Sequence, residues 1–118
     1  MGLNIEEIKL ANVVLANFMG WEEIYEGANQ FAYNKPKGDD TIYYRRDLRG
    51  LQYHVDWNWL MPVLHKIEQI RLNSSITNEE VDYRKDVIDN KVIQVDIQQT
   101  YTCIVDFVKW YNKTKILT

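Results

Sequence analysis

The sequence has a single cysteine, Cys103, so no intramolecular disulfide can form. A multi-cysteine zinc site is excluded for the same reason. Histidine is almost as scarce. His54 and His65 stand alone, with no H-E-x-x-H spacing, and neither a metal nor a cofactor is expected. Positive charge is not in excess either. Acidic residues number 17 against 14 basic ones, a net charge of −3, which argues against a nonspecific nucleic-acid binder. No apolar run approaches the roughly 20 residues that span a bilayer. The start carries Glu6 and Glu7 where a secretory leader needs an unbroken apolar core. The expectation is therefore a cytoplasmic chain with no membrane partner. Gly-rich phosphate loops, G-x-S-x-G and paired-carboxylate motifs are missing, so no enzymatic activity is predicted.

What is present fits one globular domain over 1–118. Apolar residues make up 46% of the chain, enough for a hydrophobic core without covalent staples. Aromatics are plentiful, with 8 Tyr, 4 Trp and 3 Phe, which are core-filling residues and also the types most used at binding surfaces.

Periodicity organises the chain. Ile5, Ile8, Ala11, Leu15 and Phe18 recur at steps of three and four and predict a helix, with Asn4 as N-cap and Gly20 as its stop. Three short stretches, 21–25, 30–33 and 41–46, read as an antiparallel meander broken by Gly27-Ala28-Asn29 and Lys35–Asp40. Trp57, Leu60, Leu64, Ile67 and Ile70 predict a second helix, capped by Asp56 or by Asn58. With Asp56 as cap, Pro62 falls inside the helix; with Asn58, in its first turn. Val87 and Ile88, then Val92, Ile93 and Val95, around the turn Asp89-Asn90, read as two strand pieces. A third helix is predicted over 96–112, with the stripe Ile97, Tyr101, Ile104, Val105, Val108 and Tyr111. The order helix, strands, helix, strands, helix predicts an α+β fold, with about three helices packed on a small, mainly antiparallel sheet.

The densest stretch is Tyr53-His54-Val55-Asp56-Trp57-Asn58-Trp59-Leu60-Met61-Pro62-Val63. With Ile104-Val105-Asp106-Phe107-Val108-Lys109-Trp110-Tyr111-Asn112 and Leu15-Ala16-Asn17-Phe18-Met19-Gly20-Trp21, it resembles a family of small proteins encoded by phages and mobile elements of Bacteroides-type bacteria. The family's matching segments have the forms YH-x-x-W-x-W-L-M-P-V, VVEFIKWYN and IAEFMGW. The resemblance implies an α-β-α sandwich related to a phage domain, acting in a bacterial host cell. That family has no assigned catalytic residues, so none transfers.

Two sets of candidate residues stand out. Arg45, Arg46 and Arg49, with Tyr53 and His54 close behind, combine guanidinium forks that match phosphate with rings that stack on bases. They would suit a phosphorylated small molecule such as a nucleotide signal. The competing reading is a solvated strand end whose arginines pair with Asp39, Asp40 or Asp47. Trp59 and Trp110 both fall off the main stripe of their helices and are candidates for an interface, or for filling gaps between layers. Cys103 lies inside an apolar helix and reads as a buried, inert thiol. The leading functional expectation is a non-enzymatic accessory protein that binds a host protein or another copy of itself. The alternative is a protein that binds or sequesters a nucleotide signal.

Overall fold

A computed structural model of the chain describes residues 3–25, 31–34, 42–44, 50–73 and 78–117. They fall into two compact units, Met1–Tyr53 and His54–Thr118.

The first unit opens with α1, Ile5–Phe18. The Asn4 side chain accepts from the Glu7 N–H at 2.8 Å, and the Glu7 carboxylate accepts from the Asn4 N–H at 3.1 Å. This reciprocal pair satisfies two of the donors that a helix start leaves open. The helix ends at Gly20, whose φ of +79° a residue with a Cβ adopts only under strain. There the Gly20 N–H donates to the Asn17 carbonyl and the Trp21 N–H to the Ala16 carbonyl. Ala11, Leu15, Ala16 and Phe18 are buried as the periodicity requires, and Ile8 is half-buried. Ile5 is the exception, at 57% exposed. Asn12, off the apolar stripe, is buried because its amide donates to the Leu51 carbonyl at 2.8 Å. That bond and the Trp21–Tyr53 ring contact at 5.9 Å tie α1 to the stretch 50–53. Three short strands, β1 Glu22–Tyr25, β2 Phe31–Asn34 and β3 Ile42–Tyr44, pair in chain order and antiparallel, with Tyr25 opposite Phe31 and Asn34 opposite Ile42.

The second unit is helical throughout its described residues. It holds α2 Trp57–Asn73, α3 Asn78–Ile93 and α4 Ile97–Leu117, each packed on the other two. Asp56 is the cap of α2: its carboxylate accepts from the Asn58 N–H at 2.8 Å, and its carbonyl accepts from Trp59 and Leu60. Pro62 therefore lies inside the helix, on an exposed face, where its missing N–H leaves one intrahelical bond unmade. Leu60, Val63, Leu64 and Ile67 form the buried face of α2. Asp96 caps α4, accepting from the Gln99 N–H at 3.0 Å. Tyr101, Ile104, Val105, Phe107 and Val108 are buried on α4.

The expected α+β architecture is overturned. The second set of strands does not exist, because 81–95 belongs to α3 and the turn after it. There are four helices among the described residues rather than about three, and α2, α3 and α4 pack on one another instead of on a sheet. The physical reason lies in the inward face of α3, formed by Val81, Lys85 and Ile88. Those positions keep helical steps of four and three, but a lysine at the middle one breaks the apolar pattern, and the paired β-branched residues beside it suggest strands. Two i,i+4 ion pairs, Glu80–Arg84 and Lys85–Asp89, stabilise the helix from its own surface.

Candidate functional site

The helices α3 and α4 run in opposite directions, joined by the turn at 94–96. Arg84 on α3 meets Trp110 late in α4, whereas Lys91 lies near Cys103 early in α4. Between them is a groove of about 190 Å³, lined by Tyr83, Arg84, Val87, Cys103, Asp106 and Phe107. Its floor is apolar because Phe107 is buried at the helix contact, edge-on to Trp110 at 5.6 Å and stacked with Tyr111 at 6.4 Å. The Arg84 guanidinium lies 4.6 Å above the Trp110 ring, and its Nη2 is 3.1 Å from the Glu80 carboxylate. Glu80 thus holds the guanidinium in place over the ring, a favourable cation–π geometry. Tyr83 stands on the outer lip, 66% exposed.

Cys103 opens on this groove and is half-buried, not fully buried as expected. Burial pushes its thiol up from the ordinary value, Asp106 pushes it further, and Lys91 opposes them. A thiol held protonated is a poor nucleophile, which accords with an inert residue.

On the other flank of α3 a polar cleft separates it from α2. All of its charges but Asp86 are committed to one another. The Arg71 guanidinium grips Glu68, with Nη2–Oε2 at 2.6 Å, and reaches Asp82 at 3.5 Å. The Lys85 ammonium lies 3.1 Å from Glu68 and 2.8 Å from Asp89. Arg71, joined by Lys85, holds the Glu68 carboxyl down at about 2. Burial pulls the Lys85 ammonium down, but Asp89 and Glu68 outweigh it and the net shift is upward. Glu68 and Lys85 are therefore held in their charged forms, and the network braces α2 against α3.

The nominated residues are placed as follows. Arg45, Arg46 and Arg49 lie outside the described residues. Tyr53, nominated as a stacking surface, is only 2% exposed and packs on Trp21, so its ring is closed to a ligand. His54 is half-buried against Tyr101, with ring centroids 6.1 Å apart, and burial lowers its pKa. Neither tryptophan lines the groove itself: Trp110 lies beside it, against Arg84 and Phe107, and Trp59 is half-buried on α2. Val87 was missed because it reads as strand, and Tyr83 and Arg84 because no element is predicted over them. The signal that finds them is the pair of i,i+4 ion pairs following Asn78-Glu79-Glu80, an acidic helix start. Among the described residues no group of three or more His, Cys, Asp or Glu is placed to hold a metal ion, and no helix is long and apolar enough to cross a membrane.

The second unit is thus a bundle of three helices with a charged cleft on one flank of α3 and an aromatic groove on the other. No protein-family model matches the chain, and neither does any curated protein or solved structure. The association with phages and mobile elements gains no support from these comparisons.

Proposed function

We propose that this chain is a non-enzymatic protein-interaction module acting in the cytoplasm through the face built by α3 and α4. The observation that carries the reading is the α3–α4 groove, a shallow apolar channel with an exposed tyrosine on its lip and an arginine laid on a tryptophan beside it. Tyr, Trp and Arg are the residues enriched where binding energy concentrates in protein interfaces. The volume supports the same reading. Pockets for drug-sized ligands enclose roughly 300–1,000 Å³, and this groove offers about 190 Å³. In the larger α2–α3 cleft both cations, Arg71 and Lys85, are already paired with Glu68, Asp82 and Asp89, which lowers its value to an anionic ligand.

A photo-crosslinking amino acid at position 83 or 110, introduced in the producing cell, tests this. The reading expects a discrete adduct at both positions and none at the exposed His65 on α2. Equal adducts at all three positions would count against it. So would a nucleotide that stabilises the chain in a thermal-shift screen and loses that effect with Arg84→Ala, because this would make the groove a small-molecule site.

A further inference from the structure

We infer that the outer face of the α3–α4 hairpin is self-complementary and docks a second copy of this chain, an inference that rests on the interaction reading above and names its partner. On α3, Glu79, Tyr83, Asp86 and Ile93 follow one another at steps of four, three and seven, so they share one side of the helix, and all are exposed. On α4, Asp106, Lys109 and Lys113 form an exposed stripe at steps of three and four. The groove, with Val87 and Phe107 in its lining, lies between the two stripes.

The charges decide the partner. Most ionisable groups of α3 are committed or lie elsewhere: Glu80 holds Arg84, while Asp82, Lys85 and Asp89 join the α2–α3 network, and Lys91 lies towards Cys103. What α3 offers outwards is Glu79 and Asp86, the latter at the rim of the α2–α3 cleft. What α4 offers is Lys109 and Lys113, which outweigh the single carboxylate of Asp106. None of these groups has an ion pair among the described residues. One face therefore carries a negative stripe on α3 and a net positive stripe on α4. A uniformly basic partner would meet the lysines of α4, and a uniformly acidic one the carboxylates of α3. A surface with both signs in the same two stripes meets neither repulsion, and a second copy has that surface.

Register completes the match. Within the chain Arg84 lies level with Trp110 and Lys91 with Cys103, so the antiparallel helices place Asp86 near the height of Lys109 and Glu79 near that of Lys113. A twofold axis parallel to the helices keeps those heights and lays α3 of each copy, still antiparallel, on α4 of the other. Asp86 then faces the partner's Lys109 and Glu79 the partner's Lys113, each pair occurring twice by symmetry. The exposed Tyr83 and Ile93 are covered in the same step, which supplies the apolar centre that such an interface needs.

The test follows the mass of the purified full chain by sedimentation velocity from about 1 to about 500 μM, the range of weak interfaces. A concentration-dependent dimer is expected, with affinity falling as salt rises. Asp86→Lys and Lys109→Asp should each weaken it at least about tenfold, because each sets like charges opposite one another at two symmetric places. Mixed in equal amounts, the two variants should dimerise again, since the mixed pair has opposite charges at both places. That rescue is particular to α3 of one copy lying on α4 of the other. Glu79→Lys and Lys113→Glu give the same exchange if circular dichroism shows either of the first two unfolded. Glu6→Lys on α1 should leave the affinity within about twofold. A chain that stays monomeric at every concentration overturns the inference. So does a dimer indifferent to the α3 and α4 variants, an equal loss with Glu6→Lys, or a mixture that fails to dimerise. If crosslinking at 83 and 110 then gives adducts to a different protein, the interaction reading stands without this partner. If crosslinking is negative as well, both fall.

Discussion

Gly20 and Val95 occupy the same place in two turns of one kind. Each is the left-handed residue after a helix, with φ of +79° and +55° respectively. At α1 the N–H groups of Gly20 and Trp21 reach back to Asn17 and Ala16. After α3 the N–H groups of Val95 and Asp96 reach back to Val92 and Lys91 in the same pattern. Glycine adopts this conformation freely, whereas a β-branched residue is among the least suited to it. Val95 is also 73% exposed, so little packing offsets the strain.

Replacing Val95 with Gly should therefore stabilise the fold. Releasing a left-handed L-residue is worth about 1–2 kcal/mol, and the added freedom of glycine in the unfolded chain returns about 0.5–1 kcal/mol of that. A net gain of about 0.5–1 kcal/mol is expected, read as a higher urea midpoint at unchanged slope. The converse change, Gly20→Val, should by the same balance cost about 0.5–1 kcal/mol, with no steric addition, because a Cβ at Gly20 would meet no atom within 4 Å. A Val95→Gly variant less stable than the parent would show that Val95 has a packing role in solution.

The charged network gives stability a definite pH dependence. The Glu68 carboxyl sits at about 2 in the folded chain against an ordinary 4.5. Between those values the unfolded chain binds more protons than the folded one, so stability rises with pH. This contribution is complete above about pH 4.5 and is lost as the pH falls towards 2. His54 acts in the same direction in a higher window. Burial lowers its folded pKa below the ordinary 6.5, so its contribution is complete above that value and declines as the pH falls below it. Thermal melts across this range should show Glu68→Gln flattening the profile below about pH 4.5 and His54→Gln flattening it just below 6.5. If each variant keeps the parent's slope in its own window, these groups do not set the profile.

The helix caps and much of the core were legible in the sequence. Asn4 and Asp96 cap as expected, Asp56 is the one of the two alternatives at α2 that the structure selects, and Leu15, Leu60, Leu64, Ile67, Ile104 and Val108 are buried on the stripes that predicted them. The missed helix α3, whose absence from the expectation made the fold read as α+β, has a physical cause. Lys85 is only 8% exposed: its aliphatic stem fills the inward face of α3 while its ammonium is neutralised by Asp89 and Glu68. Residue-type patterning scores that position as polar and loses the helix. Glu68, one of its two partners, lies on α2, so the compensation that permits the burial becomes visible only once the helices pack. The groove could not be found from sequence for the same reason, because Val87 reads as strand and Tyr83 and Arg84 fall on no predicted element.

Cys103 lines the groove, so reagents can reach it, but its thiol is held protonated. Labelling with a maleimide at neutral pH should be slow in the native chain and faster in denaturant. Asp106→Asn should speed native labelling by removing a charge that disfavours the thiolate, and Lys91→Gln should slow it by removing one that favours it. Native labelling as fast as that of the unfolded chain, or rates indifferent to both substitutions, would contradict this picture of the site.

Thr100 presents a different kind of local cost. It is fully buried on α4, and its hydroxyl oxygen has no hydrogen-bond partner among the described residues, while its N–H donates to the Asp96 carbonyl at 2.9 Å. A buried hydroxyl left unsatisfied costs about 1–3 kcal/mol. Valine has nearly the same shape and helix propensity but carries a methyl in place of the hydroxyl. Thr100→Val should thus stabilise the chain by about 1 kcal/mol or more. Thr100→Ser keeps the hydroxyl and loses the methyl, so it should cost about 1 kcal/mol through lost burial. Thr100→Ala removes both groups and should fall between the two. Urea titrations of the three variants give the order directly. If valine is instead less stable than both the parent and the serine variant, the hydroxyl makes a hydrogen bond in solution that outweighs the apolar gain, and the polar contact rather than the methyl is what this position contributes to α4.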